Sequence, residues 1–351
     1  MRVQVCVGSG GVGKTTVAAA LAARAAHTGQ RAVVVTIDPA RRLADALGMG
    51  GHLSGEPRRL ALEGPGELWA SMLDSKATFD RLVIEQAATP EQADRILANR
   101  YYRNMSGALS GTQEYMAAEE LHRLAHDPRF DLVVVDTPPS RHALDFVDAP
   151  QRLVRLLENR VYRLLVSPNR PVTRAVSLAA RAVLRTTSSV VGAQVIEDAV
   201  EFFTAFDGME EGFRERARTV TNLLAGPGCA FVVVTSPRAD AVDEAVVLHD
   251  ALGRRGIQPT TLVVNLLHED PLHAVPEPDR AHLAEAKGAL GRRWEAALAL
   301  SATSAQEDAA VGPLTARFAG AAVIRIPRLV EEVRDLSGLT RFGELLATVP
   351  R

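Results

Sequence analysis

The residues with the clearest chemistry stand at the start of the chain. Gly8-Ser9-Gly10-Gly11-Val12-Gly13-Lys14-Thr15-Thr16 fits G-x-x-x-x-G-K-[ST] at every fixed position. Such a loop holds a polyphosphate. Its glycines let main chain approach phosphate oxygens with no Cβ in the way, and its N–H groups converge on the anion together with the N-terminus of the helix that follows. Gly8, Gly10, Gly11, Val12, Gly13 and Thr16 then surround the phosphates. Lys14 pairs with the β- and γ-phosphates, and Thr15 offers its hydroxyl to Mg2+. Lys14 is one of three lysines, with Lys76 and Lys287, in a chain that otherwise takes its positive charge from Arg. A compact ammonium therefore stands where guanidinium is the default.

Two carboxylates suit the same chemistry. Asp38 ends the run Thr36-Ile37-Asp38 before Pro39-Ala40, and Asp136 ends Val133-Val134-Val135-Asp136 before Thr137-Pro138-Pro139. Both fall at the carboxyl edge of a strand, where ligands sit in open α/β sheets. A strand-terminal Asp after apolar residues can hold Mg2+ directly or through water, and Asp38 can instead orient the attacking water. An Asp beside Pro can also start a turn or cap a helix. Together with the loop, the two point to nucleoside triphosphate hydrolysis, with Lys14, Asp38 and Asp136 as catalytic candidates and Thr15 and Asp136 as metal ligands.

The elements that must position these residues are legible from periodicity. Strand-like runs cover Arg2 to Val7, Arg31 to Ile37, Leu68 to Leu73, Asp131 to Asp136, Ala230 to Thr235, Thr261 to Asn265 and Ala322 to Ile326. Near-continuous Val/Ile/Leu strands are buried on both faces, which requires a mostly parallel sheet covered by helices. An Ala-rich helix from about Val12 to Ala26 leaves the loop. The intervals 75–129 and 141–226 lack strand signals and carry helical periodicity. The expected architecture is α/β: one P-loop NTPase domain over 1–351, with a mostly parallel central sheet flanked by helices and two helical insertions.

Several classes are disfavoured. The chain of 351 residues has 40 Lys and Arg against 42 Asp and Glu, so no global charge draws it to nucleic acid, and no specific nucleic-acid partner is expected. Cys6 and Cys229, the two cysteines, form neither a CxxC zinc site nor a disulfide framework, and read as buried thiols in a reducing compartment. With no leader-like N-terminus and no apolar run of spanning length, a cytoplasmic location is expected, with peripheral membrane association open. His268, Glu269, Asp270 and His273 could gather a divalent ion, but a solvated loop before Pro271 is the simpler reading. From Arg152 to Arg185 there are eight arginines and one acid, with Val172, Val176, Ala179 and Val183 on one helical face. Such a helix can meet a membrane surface or an acidic partner, or pack on a core with its charged face solvated.

The loop with its inner Gly10-Gly11, the segment Asp38-Pro39-Ala40-Arg41-Arg42-Leu43 and the segment Asp136-Thr137-Pro138-Pro139-Ser140-Arg141-His142 resemble the arsenical-pump ATPase family, ArsA. That family includes the eukaryotic targeting factor for tail-anchored membrane proteins. Asn104 to Glu119 is similar to a helical segment of bacterial members. Val263-Val264-Asn265 resembles the strand whose Asn contacts adenine, and Ile326 to Val333 the C-terminal adenine loop. The resemblance implies a dimer with two nucleotides facing each other, whose nucleotide state controls binding of a client or a membrane partner. It puts Asp38 in switch I, Asp136 to His142 in switch II with His142 reporting nucleotide state, and Asn265 and Pro327 at the base.

Three departures matter. Ser9 stands where related loops carry a second lysine that reaches the partner's phosphates. A homodimer should then hydrolyse slowly, and a heterodimer with a paralogue carrying the lysine absent at position 9 would repair this chain's site. The thiolate set that suits a metalloid such as arsenite is missing, and so is the CxxC of the targeting factor's interface. The alternative is a spatial organiser resembling ParA and MinD. A C-terminal membrane-binding helix would favour it, but Leu336 to Val349 is short and mixed.

Overall fold

The computed structural model describes residues 2–38, 42–49, 53–100, 102, 113–158, 198, 201–202 and 204–347. Along the chain these form β1 (Arg2–Gly8), α1 (Lys14–His27), β2 (Arg31–Thr36), α2 (Arg42–Ala46), β3 (Arg58–Leu60), β4 (Glu67–Met72), α3 (Ser75–Gln86), α4 (Pro90–Ala98), α5 (Gln113–Ala125), β5 (Leu132–Asp136) and α6 (Ser140–Glu158). Then follow α7 (Glu210–Ala225), β6 (Cys229–Thr235), α8 (Ala239–Gly253), β7 (Thr261–Leu267), α9 (Glu277–Ala284), α10 (Gly288–Arg317), β8 (Ala322–Pro327) and α11 (Leu336–Leu345).

The eight strands form one sheet in the order β3-β4-β2-β5-β1-β6-β7-β8. Every pairing is parallel except that of β3 with β4. Each of the seven apolar runs is a strand. The run from Arg58 to Leu60 is the eighth, an edge strand too short and too charged for a periodic signal, as protected edges are. Register sets the working edge: Cys6 and Thr36 both pair with Asp136, and Gly8 pairs with Val234.

The chain divides into two compact units, one of residues 1–72, 127–144 and 227–351, the other of residues 73–126 and 145–226. In the first, β1, β2 and β5 are Val-rich and buried, and α1 packs through Ala18, Ala19, Ala20, Ala22 and Ala23, which are fully buried. Side chains this small let a helix lie close to its neighbours. The C-terminal α11 uses that surface: a Cβ on Gly343 would stand 3.2 Å from Ala20 O, and Arg24 donates to Leu346 O at 2.8 Å and Ala347 O at 2.6 Å. Leu339, Phe342 and Leu346 are buried in the core of this unit, so the apolar face of α11 is taken up within the fold.

The second unit is built on aromatic rings and paired charges. Phe79 stacks on Tyr102 at 4.9 Å, and Phe202, Phe206 and Phe213 continue the cluster. Arg216 joins buried Glu119 at 2.8 Å and Glu85 at 2.6 Å, while Glu120 takes Arg81 at 2.8 Å and Arg123 at 2.5 Å. Residues 104–112, 159–197 and with them Val172 to Val183 of the basic stretch lie outside the described residues. Cys6 is buried as expected, whereas Cys229 is only half-buried because it opens β6 at the amino edge of the sheet. His268 is used locally, its main-chain N donating to Glu307 Oε2 at 2.8 Å. No group of His, Cys, Asp and Glu able to hold a metal ion by itself occurs among the described residues. Nor, among them, is any helix long and apolar enough to cross a membrane.

Candidate functional site

The glycines of the 8–16 loop are where close approach requires them. A Cβ on Gly8 would stand 2.0 Å from Val234 O. Gly13 caps α1 in the left-handed region (φ 90), which is why the helix opens at Lys14 rather than Val12. A Cβ there would meet Asn265 Nδ2 at 2.4 Å, and that nitrogen donates to Val12 O at 2.9 Å. Asn265, expected at the base, thus holds the loop with its amide nitrogen while still lining the cavity. The neighbouring Leu266 adopts φ 65, alone among described residues other than Gly, where β7 slips register against β8. A left-handed Leu is strained, of order 1–3 kcal/mol.

Asp136 is the electrostatic centre. It is 1% exposed, and Thr15 Oγ1 at 2.9 Å and Thr36 Oγ1 at 3.0 Å both donate to its Oδ2. Its Oδ1 is buried and has no hydrogen-bond partner among the described residues. Burial pushes its carboxyl up to about 6, against the opposing pull of both hydroxyls and Lys14. Lys14, 7% exposed, donates to Ser9 O at 2.7 Å; burial lowers its pKa and Asp136 works against that. An orphaned carboxylate oxygen in such a place is costly unless something else completes it. Oxygen donors from a carboxylate and a hydroxyl fit a hard divalent cation, not a thiophilic one.

Asp38 closes the edge beside β2. Its N donates to Thr36 Oγ1 at 3.3 Å, and Arg42 Nη1 stands 3.6 Å from its Oδ2. Pro39 to Arg41 lie outside the described residues, as do the side chains of Ser140, Arg141 and His142. Thr137 Oγ1 donates to Cys6 O at 2.7 Å and ties the start of the Asp136 to His142 segment to β1. Burial raises the Cys6 thiol far above its ordinary value, so it stays protonated and inert.

A cavity of about 1120 Å³ opens over this edge, lined by Gly11, Gly13, Lys14, Thr15 and Thr16 on one side and by Asn265, Leu266, Pro327 and residues 328–334 on the other. The structure therefore brings the loop, Asn265 and Pro327 around one space, with Asp136 buried beneath Thr15. Thr36, Thr137 and Arg42 stand in the quoted segments, but their contacts were not apparent from sequence. The hydroxyls act through strand register, and Arg42 through its return to the cavity.

Comparison with known proteins agrees with this geometry. The family model for anion-transporting ATPases matches residues 1–276. The chain is 31% identical to the uncharacterized protein SCO2128 of Streptomyces coelicolor, over 99% of this chain and 88% of that one. It is 24% identical to the ATPase get3 of Schizosaccharomyces japonicus over 97% and 90% of the two chains. With the ATPase GET3 of Malassezia globosa it shares 31% identity, over 43% of each chain. With an eight-stranded, mostly parallel sheet and this loop at its carboxyl edge, the chain is an ATP-hydrolysing enzyme of the P-loop NTPase fold and belongs to the anion-transporting ATPase family.

Proposed function

We propose that Mg2+ and ATP occupy this cavity, with the phosphates in the 8–16 loop and the base beside Asn265 and Pro327. The observation that carries the reading is Asp136, a buried carboxylate with two hydroxyls on one oxygen and, among the described residues, no partner on the other. Thr15 and Asp136 would hold Mg2+, which when bound would neutralise charge on the β- and γ-phosphates. The chain supplies the rest. Main-chain N–H groups from Gly10 to Thr16 cradle the phosphates. Lys14 exchanges Ser9 O for phosphate oxygen, and Asp38, freed from Arg42, orients the attacking water.

Nucleotide state controls a dimer that holds or releases a client or membrane partner, a membrane-protein client fitting the family resemblance. The enzyme works in the cytoplasm, and at the membrane surface when such a client is engaged. Ser9 supplies no cross-dimer charge, which favours pairing with a paralogue that carries the lysine over a homodimer. The packing of α11 within the core supports this reading over the spatial organiser. The test is the ATPase rate of the chain alone and mixed with such a paralogue, followed by ATP-dependent crosslinking. A mixed rate above the sum, with membrane proteins recovered, is expected. Full activity alone overturns the heterodimer, and recovery of chromosomal DNA alone overturns the client reading.

A further inference from the structure

The turn between β6 and α8 lies against the loop on the side away from Asp136. Arg238 Nη1 is the nearest group to the place a Cβ on Gly11 would take, at 4.0 Å. Asp240 grips the other edge of the guanidinium, Nε at 3.0 Å and Nη2 at 2.6 Å. The fork is thus clamped with Nη1 turned toward the loop, and its side chain remains 58% exposed. An exposed pair of this kind adds little stability, so stability does not explain the clamp.

Two further observations mark the same place. Gly8 pairs with Val234, so Ser9 and Ser236 leave adjacent strand ends, and each buries a hydroxyl that has no partner among the described residues. Gly10, next to Ser9 in the loop, has nothing within 4 Å of where its Cβ would stand. The lip is open, polar beneath and cationic on one side.

We propose that Arg238 is a second phosphate-directed cation of this enzyme, held by Asp240 so that Nη1 meets a polyphosphate oxygen at the outer lip of the loop. A guanidinium with one edge occupied still offers N–H donors from the other, and its charge strengthens each bond. Arg238 thereby provides on the β6–α8 turn what Ser9 does not provide within the loop. The inference rests on the nucleotide lying in the loop as proposed above. The polyphosphate belongs either to the chain's own nucleotide or to that of a second copy facing it.

The test measures Mg-ATP binding and steady-state hydrolysis for the wild type, Arg238→Gln, Arg238→Lys and Asp240→Asn. Arg238→Gln should lose about 10- to 100-fold in kcat/KM, the scale of a charged hydrogen bond, with a shallower salt dependence and an unchanged melting temperature. Arg238→Lys should fall in between, and Asp240→Asn should lose a few-fold (about 3) as the clamp loosens. Mixing Arg238→Gln with Lys14→Ala locates the source. Recovered activity assigns the contact to a second copy's nucleotide and no recovery assigns it to the chain's own, and both uphold it. Wild-type kcat/KM and salt dependence in Arg238→Gln overturn the inference. Absence of ATP binding by the wild type itself overturns instead the reading it rests on.

Discussion

The Glu119–Glu120 cluster of the helical unit and Asp136 at the sheet edge handle buried charge in opposite ways. In the helical unit, Glu119 and Glu120 each meet guanidinium groups, Arg216 on one and Arg81 and Arg123 on the other, and Tyr115 Oη adds a bond to Glu119 at 2.5 Å. At the sheet edge, Asp136 meets only hydroxyls on one oxygen and, among the described residues, nothing on the other. A paired buried carboxylate holds structure together. An incompletely partnered one is a cost to the fold that a ligand can relieve, and here it sits beneath the phosphate loop.

The largest effects should separate these roles. Asp136→Asn should lower Mg-ATPase activity on the order of 10³-fold, as loss of several kcal/mol of metal-assisted stabilisation requires. The metal-free protein should melt no lower than wild type, because an awkward charge has been removed; a clear drop in melting temperature would make Asp136 structural. Arg216→Met should do the reverse. It strands Glu119 in the interior and should cost about 3 kcal/mol in urea unfolding, with ATP affinity per folded molecule unchanged.

Next comes pH. The native Asp136 carboxyl titrates at about 6 against 3.8 for the ordinary group. Between those values the native state binds more proton than the unfolded one, so its contribution to stability is complete below about 3.8 and is lost as pH rises through about 6. In EDTA the difference between wild type and Asp136→Asn should therefore grow across that window, by up to about 1.4 kcal/mol per pH unit. Matching pH profiles for the two proteins would show that the carboxylate is not strained. The smallest effect is expected at Asn265→Ala, which frees Val12 O and slackens the loop. About tenfold weaker ATP binding, the loss of one buried hydrogen bond, should be seen by calorimetry.

How much of this was legible in the sequence follows from how local each cue is. The seven apolar strands and the G-x-x-x-x-G-K-[ST] loop are contiguous patterns, and they appear where periodicity and spacing put them. Arg58 to Leu60 gave no pattern because three residues with two charges carry none. The left-handed Gly13 moved the start of α1 to Lys14. Thr36 reaches Asp136 only because β2 and β5 pair in register across 100 positions. Asn265 reaches Val12 O across 253 residues, beside the strained Leu266 and the register slip of β7. Arg238 lies in Ser236-Pro237-Arg238-Ala239-Asp240, a stretch with no motif, and only the neighbouring strand ends bring it to Gly11.

The most direct measurement is nucleotide affinity with and without Mg2+ for wild type, Asp136→Asn and Glu119→Gln, followed with a fluorescent ATP analogue. Wild type and Glu119→Gln should bind far more tightly with Mg2+ than without, and Asp136→Asn should show almost no such gain. An Asp136→Asn protein that keeps the full Mg2+ dependence would contradict the assignment of the orphaned oxygen to the metal.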